Sequence, residues 1–173
     1  MKLEVRRVTA DDWVEYRRLR LEALQDSPLA FVEQYHESVV QPESFWQERV
    51  GRSIEGTTSA MFVAEVAGTL VGKASCFLEP DGVSAHIVGV YVTPGLRGQG
   101  VADAVVRAAM AWAGAEAGAS RIRLFVTEAN ERALAFYRRL GFAPTGITMA
   151  YPPDPRITEY ELETITRSSG RSE

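Results

Sequence analysis

The sequence predicts an α/β (α+β) fold, with one domain over residues 1–166. A mixed sheet of about seven strands is flanked by four or so helices. The chain has 173 residues, 46% of them hydrophobic and 24% charged, which is typical of one soluble domain. Strand-like and helix-like hydrophobic periods alternate along it. No repeat or linker divides it, and residues 167–173 are expected to form a mobile tail.

The first third of the chain predicts one strand followed by helices. Leu3 to Thr9 alternates apolar and charged residues as a strand does. The segment "ADDWVEYRRLRLEAL" has a helical period, and Ser27-Pro28 ends that helix. Weaker helical candidates run from Phe31 to Val40 and from Pro42 to Arg52. One strand and its helices therefore precede the main run of strands.

The middle of the chain predicts a hairpin, a buried strand and a long helix. "SAMFVAEVAGTLVGKASCFL" gives two strands that turn at Ala67-Gly68. "VSAHIVGVYVT" has little polar material on either face, so it is expected to lie centrally in the sheet. The following helix is predicted from about Gly98 to Ala117.

The last third predicts one more strand–helix pair and two closing strands. "RIRLFVT" is typical of a strand and "NERALAFYRRL" of a helix, with Gly141 as its C-terminal cap. "FAPTGITMAY" and "ITEYELETI" predict the closing strands. Hairpins make the sheet antiparallel in part, and helical crossovers make it parallel elsewhere.

Charge and cysteine content narrow the possible partners. The net charge is −4 and the arginines are dispersed, which argues against nucleic-acid binding. One cysteine and two distant histidines give no zinc signature, so no metal is expected. The N-terminal segment has no signal-peptide pattern, and no apolar run approaches the ~18 residues of a membrane span. A soluble, cytoplasmic protein without a membrane partner is expected.

The glycine-rich stretch "VYVTPGLRGQGVADAVV" predicts a phosphate site where a strand passes into a helix. It lacks the Lys-Ser/Thr of a nucleotide P-loop, and its glycine spacing reverses that of the dinucleotide fingerprint. Helix physics alone gives a third interpretation. The first amides of a helix lack partners, glycines let them approach a phosphate, and Arg97 adds a charge. The alternative is a plain glycine-rich turn.

The wider pattern resembles the GNAT superfamily of acetyl-CoA-dependent N-acetyltransferases. Arg97 to Ala102 matches R-x-x-G-x-(G/A), the superfamily's acetyl-CoA motif. "NERALAFYRRLGF", from Asn130 to Phe142, resembles its next motif. The resemblance is specific for the C-terminal half only. It implies a strongly twisted sheet splayed between the fourth and fifth strands.

The resemblance also implies a set of coenzyme A contacts. The strand before the glycine loop is expected to pair with the pantetheine arm, and the loop amides are expected to hold the pyrophosphate. Asn130 is either a cofactor contact or an N-cap, and both roles are compatible. The expected contacts are Val90, Tyr91, Val92, Arg97, Gly98, Gln99, Gly100, Val101, Ala102, Asn130, Ala133 and Tyr137.

Two catalytic roles follow from the same resemblance. Tyr137 takes the position of the acid that protonates the leaving thiolate, although it could simply pack the helix on the sheet. His86 stands where many members carry a glutamate base. It acts directly or through water, or it is merely a strand histidine satisfied by hydrogen bonds. Glu33, Glu79 and Glu128 are weaker candidates for the base.

The acceptor pocket is expected between residues 31–36 and the segment "MAYPPDPRITEY", predicted as a loop. Its candidate residues are Phe31, Glu33, Tyr35 and Tyr151, with Trp46, Asp154 and Tyr160 as further possibilities. The expected activity is acetyl transfer from acetyl-CoA to a primary amine by direct attack, in a monomer or homodimer. The alternatives are an acyl carrier at Cys76, transfer of a longer acyl group, and a non-catalytic coenzyme A sensor.

Overall fold

The computed structural model describes residues 2–166, so the tail predicted over 167–173 lies outside the described residues. Seven strands and five helices make up the described part. The strands are β1 (Glu4–Arg7), β2 (Ser59–Val66), β3 (Thr69–Leu78), β4 (Ser84–Val92), β5 (Arg121–Thr127), β6 (Ala143–Tyr151) and β7 (Asp154–Ile165). The helices are α1 (Trp13–Asp26), α2 (Tyr35–Ser38), α3 (Glu43–Gly51), α4 (Val101–Ala115) and α5 (Glu131–Arg139).

The seven strands form one mixed sheet, as the sequence predicted. Their order across the sheet is β1-β2-β3-β4-β5-β7-β6. Every neighbouring pair is antiparallel except β4 and β5, which are parallel and joined by the α4 crossover. Parallel neighbours need such a crossover because the chain must return to the same end of the sheet.

The sheet is split between β4 and β5, which confirms the splay expected between the fourth and fifth strands. Pairing is confined to Ser84–His86 on β4 and Arg121–Arg123 on β5. Beyond these three pairs the two strands share no register, although both continue for several residues. An open wedge therefore begins in the middle of the sheet.

A bulge in β4 accompanies the split. The register with β3 shifts between Lys73 and Ser75, and Gly89 has a left-handed φ of +64°. The buried Lys73 Nζ donates a 2.6 Å hydrogen bond to the Gly89 carbonyl. A bulge bends its strand and disrupts the local ladder. Gly89 therefore supplies the conformation, and Lys73 holds it.

Two apolar clusters cover the two faces of the sheet. On one face, α4 packs Val105, Val106, Ala109 and Trp112 mainly against β2 and β3. On the other, α1 and α3 pack Leu19, Leu24 and Trp46 against the central strands. The side chains of these helices recur at helical spacing, so each helix buries one stripe. The split between β4 and β5 therefore lies in a sheet that is covered by helices on both faces.

Three local predictions differ from the structure. The long helix begins at Val101 rather than Gly98, because Gly98 and Gly100 both have left-handed φ angles, +77° and +83°. The segment 31–40 contains only one short helix, Tyr35–Ser38. The predicted loop "MAYPPDPRITEY" is wrong: β6 and β7 continue through it and are separated by Pro152 and Pro153 alone.

Gly72 on β3 lets α4 approach the sheet closely. A Cβ there would lie 2.7 Å from Cγ1 of Val101 and 3.3 Å from the carbonyl oxygen of Tyr91. We expect Gly72→Ala to lower the free energy of unfolding by about 1–3 kcal/mol, because neither neighbour can move freely. Urea denaturation measures this. Gly51→Ala is the control, since its Cβ meets nothing within 4 Å; equal stabilities for the two variants would contradict the prediction.

Candidate active site

A cleft of about 670 Å³ occupies the wedge between β4 and β5. Its walls come from β4, the loop before α4, β5 and α5. Most of the predicted cofactor contacts line it, namely Val90, Tyr91, Val92, Arg97, Gly98, Gly100, Ala102, Asn130, Ala133 and Tyr137. Gln99 and Val101 do not: the Gln99 side chain bonds back to Gly95, and Val101 is buried against the sheet. These two residues offer the cleft only their backbone.

The loop before α4 presents a row of free donors. Within the described residues, the amides from 98 to 103 bond to no backbone carbonyl, and the first bond of the helix runs from Ala104 to Gly100. The left-handed Gly98 and Gly100 turn the chain without a Cβ in the way. The positive end of the α4 dipole lies at the same place. The geometry suits a multiply charged anion such as a diphosphate.

Arg97 is already engaged at the mouth of the cleft. Its Nε donates to the Val92 carbonyl at 3.0 Å, and its guanidinium forms an ion pair with Asp26. The same guanidinium lies 5.5 Å from the centre of the Tyr91 ring. Arg97 therefore has to share or exchange its Asp26 partner in order to bind an anion.

The β4 edge offers backbone donors to the cleft. The Thr93 N–H bonds to Val71 of β3 at 2.9 Å. Successive amides of a strand point to opposite sides, so the N–H groups of Val92 and Val90 point away from β3 and into the wedge. Since β5 does not pair here, these groups are open to an extended ligand.

Asn130 and Tyr137 face the cleft from α5. The Asn130 side-chain oxygen accepts a 3.1 Å hydrogen bond from the Ala133 amide, so the residue caps the helix and keeps its NH₂ group free. Tyr137 packs against Phe136 and Phe142 at 5.0 and 5.7 Å and is 8% exposed. Burial raises the pKa of Tyr137 above its usual value, so its hydroxyl stays protonated at every physiological pH.

A second cavity, of about 990 Å³, adjoins the cleft. Phe31, Glu33 and His86 line it, as do Met149, Pro152 and Pro153 at the β6–β7 turn. The His86 ring stacks between Phe77 and Phe125, and its Nδ1 lies 3.2 Å from Glu79 Oε1. The residues common to both cavities are Ala30, Phe31, Ile87, Val88, Gly89, Phe125 and Glu159.

Glu33 lies in this wall but is not a free carboxylate. Arg20 and Arg49 pair with it at 2.6 and 2.9 Å, and the Ser38 hydroxyl donates to it. Burial alone would raise its pKa, but the two guanidiniums and the hydroxyl outweigh burial and hold the pKa at about 2. Glu33 therefore anchors the wall and cannot serve as a proton acceptor.

Several other predicted residues lie outside both cavities. Tyr151 is 1% exposed, and its hydroxyl donates to the carbonyls of Pro28 and Phe31, so it fixes the wall from behind. Tyr35 and Trp46 pack in the core beneath α1. Neither Tyr160 nor Asp154 lines a cavity, and Glu128 is exposed and accepts from the Thr158 amide. None of these side chains is therefore available to contact a ligand in either cavity.

Cys76 is unsuited to carry an acyl group. It is fully buried in β3, and burial raises the pKa of its thiol to about 12. The thiol is thus neither accessible nor ionised. Among residues 2–166 no cluster of three potential metal ligands occurs, and no helix there has the length and apolarity needed to cross a bilayer.

Sequence reasoning missed two residues. Lys73 stands alone in the apolar strand "LVGKASC", which is an unusual place for a lysine and was a usable signal. Glu159 alternates with apolar residues in "ITEYELETI", and that pattern is identical to a solvent-facing strand. Only the tertiary structure distinguishes Glu159, because it places β7 next to β5 and brings this residue to the lining of both cavities.

Lys73 supplies a test of how the bulge is held. Burial lowers its pKa well below the usual value, helped by Arg20 and Arg49, so the unfolded chain binds more protons than the folded one. Stability then increases with pH up to the unfolded pKa of ~10.4.

We expect Lys73→Met to remove this dependence. Relative to the variant, the wild type should gain up to ~1.4 kcal/mol in free energy of unfolding per pH unit between about pH 8 and 10. Urea denaturation across that range measures the difference. Lys2→Met, at an exposed lysine, should keep the wild-type slope. Parallel slopes for wild type and Lys73→Met would show that Lys73 is charged in the fold.

Known proteins share both the sequence pattern and the fold. Residues 15–142 match the model of the "Acetyltransferase (GNAT) family". An uncharacterized N-acetyltransferase of Methanocaldococcus jannaschii is 29% identical over 144 residues, covering 80% of this chain and 59% of that protein. The streptothricin acetyltransferase of Streptomyces lavendulae is 37% identical over 101 residues, covering 58% of this chain and 53% of that protein.

A solved structure shows the same fold along nearly the whole chain. The GNAT-family acetyltransferase of Streptococcus pneumoniae superposes with a TM-score of 0.80 at 16% identity, covering 95% of this chain and 99% of that one. The two curated relatives are matched over little more than half of their own length. Since the family model matches residues 15–142, which are most of the sequence, this chain belongs to the GNAT family of acetyltransferases.

Proposed function

We propose that the protein transfers an acetyl group from acetyl-CoA to a primary amine by direct attack of the amine. The observation that carries this proposal is the cleft, where unpartnered amides, an open β4 edge and a buried tyrosine face one another. Family membership and the streptothricin acetyltransferase relative support it. When bound, acetyl-CoA supplies the activated thioester.

The residues of the cleft fit coenzyme A in two ways. The amides of residues 98–102 face the place for a diphosphate, with Arg97 as the adjacent cation. The open β4 edge, including the Val90 N–H, offers strand-like pairing to the amides of a pantetheine arm. Asn130 and Ala133 line the opposite wall. Together they aim the thioester toward the junction of the two cavities.

Tyr137 and Val92 have complementary roles in the reaction. The Val92 N–H stabilises negative charge on the carbonyl oxygen as the amine attacks. The Tyr137 hydroxyl, kept protonated by burial, gives its proton to the departing thiolate. No nucleophilic cysteine is accessible, because Cys76 is buried. A direct transfer without an acyl-enzyme is therefore the simplest route.

The second cavity is the proposed acceptor site. It opens onto the cleft and is walled by Phe31 and by the β6–β7 turn. His86 lies in this wall and remains a candidate for the base, as predicted from the sequence. The net charge of −4 argues against a nucleic-acid partner, and a single buried cysteine is compatible with a reducing cytoplasm. We expect a monomer or homodimer without a membrane partner.

The cleft also bears on two alternatives, a non-catalytic coenzyme A sensor and an enzyme that transfers a longer acyl group. A coenzyme A sensor needs the amides but not a proton donor, so the position of Tyr137 in the cleft favours an enzyme. A longer acyl group needs extra apolar space beside the thioester. Comparing acetyl-CoA with longer acyl-CoA substrates therefore tests whether the wedge is wide enough for a longer acyl group.

Thiol release from acetyl-CoA tests the function directly. With a panel of primary amines, we expect the wild type to release thiol and Tyr137→Phe to have a kcat lower by about 100-fold, because the thiolate loses its proton donor. Coenzyme A affinity should be unchanged in the variant. Binding without turnover on any amine would favour the sensor.

Arg97 tests the diphosphate site. We expect Arg97→Ala to raise the Kd for coenzyme A by about 10- to 100-fold, the usual effect of losing a charged hydrogen bond. The variant also leaves Asp26 uncompensated near the anion. Isothermal titration calorimetry measures the Kd for coenzyme A. Arg52→Ala is the control, because this exposed arginine pairs with Glu48 and does not line the cleft; identical affinities for both variants would exclude Arg97 from the site.

A further inference from the structure

Glu159 lies where the two cavities meet. It is half-buried on β7, and its cross-strand neighbours are Thr127 on β5 and Met149 on β6. Thr127 lines the cleft, Met149 lines the second cavity, and Glu159 lines both. The row of three residues thus crosses from the cofactor side to the acceptor side with the carboxylate in the middle.

Glu159 is also the titratable residue that the two cavities share. The other shared residues are apolar or glycine. Among the described residues its carboxylate has no hydrogen-bond or ion-pair partner. Other glutamates nearby are occupied: Glu33 by two arginines, Glu161 by Thr145, and Glu163 by Arg123. A half-buried carboxylate without a partner is a ready site for a cation.

The charged groups around Glu159 leave that role open. On the acceptor side, Arg20 and Arg49 are bound to Glu33, and Glu37 caps α2 at the Gln34 amide. From β4, His86 is held by Glu79, and from β6 the buried Tyr151 hydroxyl is hydrogen-bonded.

The cofactor side is similar. From α5, Arg132, Tyr137 and Arg139 line the cleft, but within the described residues neither arginine comes within 4 Å of a carboxylate oxygen of Glu159. Arg97 is paired with Asp26. No neighbouring cation therefore neutralises Glu159 in the described structure.

We propose that Glu159 binds the ammonium group of the acceptor and then takes its proton. This inference rests on the proposed acetyl transfer. An N–H bond of the ammonium breaks and the proton moves to a Glu159 oxygen, so the nitrogen lone pair is free to attack the thioester carbonyl. As the carbon–sulfur bond breaks, Tyr137 protonates the sulfur and recovers a proton from the new amide nitrogen. One proton leaves through Glu159 to solvent.

The chemistry of the acceptor makes such a group necessary. An alkyl amine has a pKa near ~10.4, so at pH 7 roughly one molecule in 2,500 carries a free lone pair. Burial raises the pKa of Glu159, which makes it a better proton acceptor than an exposed carboxylate. His86 lines only the second cavity, whereas the proton must be removed where the amine meets the thioester. The acceptor class is therefore a cationic alkyl amine.

The test is the pH profile of kcat/KM for the best alkyl amine found with the wild type. The wild type should show a plateau from about pH 7 to 9, because Glu159 deprotonates the bound ammonium. Glu159→Gln should lose about 100-fold at pH 7 and then gain about tenfold per pH unit, as the free amine becomes more abundant. Glu159→Asp should restore the plateau at a lower rate.

Matched variants separate this role from folding. Glu163→Gln makes the same change four residues along β7 and should keep the wild-type profile. Coenzyme A affinity, measured by calorimetry, should be the same in Glu159→Gln and wild type. A plateau retained by Glu159→Gln overturns the inference, as does a slope that appears in His86→Gln instead. A wild type that releases no thiol with any amine overturns acetyl transfer itself.

Discussion

The early end of β4–β5 pairing is the constraint on which the rest of the molecule depends. Parallel neighbours in a buried sheet normally pair along their length, since an unpaired buried amide is costly. Here pairing stops after His86, and the bulge at Gly89 bends β4 away. The open backbone groups of β4 and the free amides before α4 then face one cleft. A ligand with its own amides and a diphosphate satisfies both sets at once.

Buried nitrogen donors hold this arrangement in place. Lys73 donates to the Gly89 carbonyl at the bulge, and Arg20 pairs with Glu33 in the wall of the second cavity. A Cβ on Gly89 would lie 2.9 Å from the Lys73 Nζ and 3.9 Å from an Arg20 nitrogen, so the lysine amine and the guanidinium both pack beside the same glycine. Burying them costs stability. In return, Lys73 and Arg20 fix the backbone at Gly89, which lines both cavities.

The two halves of the chain contribute different chemistry to that junction. The C-terminal half supplies the loop amides, Asn130 and Tyr137, which face the cleft proposed for coenzyme A. The N-terminal half supplies Phe31 and Glu33 with its two arginine partners, which line the second cavity, the proposed acceptor site. β7 belongs to both, because it lies between β5 and β6 in the sheet. Glu159 is therefore placed by sheet order rather than by a local motif.

Sequence alone determined the order of the elements, the family and most of the residues that line the cleft proposed for coenzyme A. Hydrophobic period located seven strands, and the glycine loop and the Asn130–Phe142 motif identified the family, because these signals are local in the chain. Only the tertiary structure decided the acceptor side. It moved Tyr35 and Tyr151 out of the pocket, gave Glu33 and His86 partners, and left Glu159 free at the junction. Those outcomes depend on which distant side chains meet, and strand periodicity carries no information about the partner that a charged residue finds across the sheet.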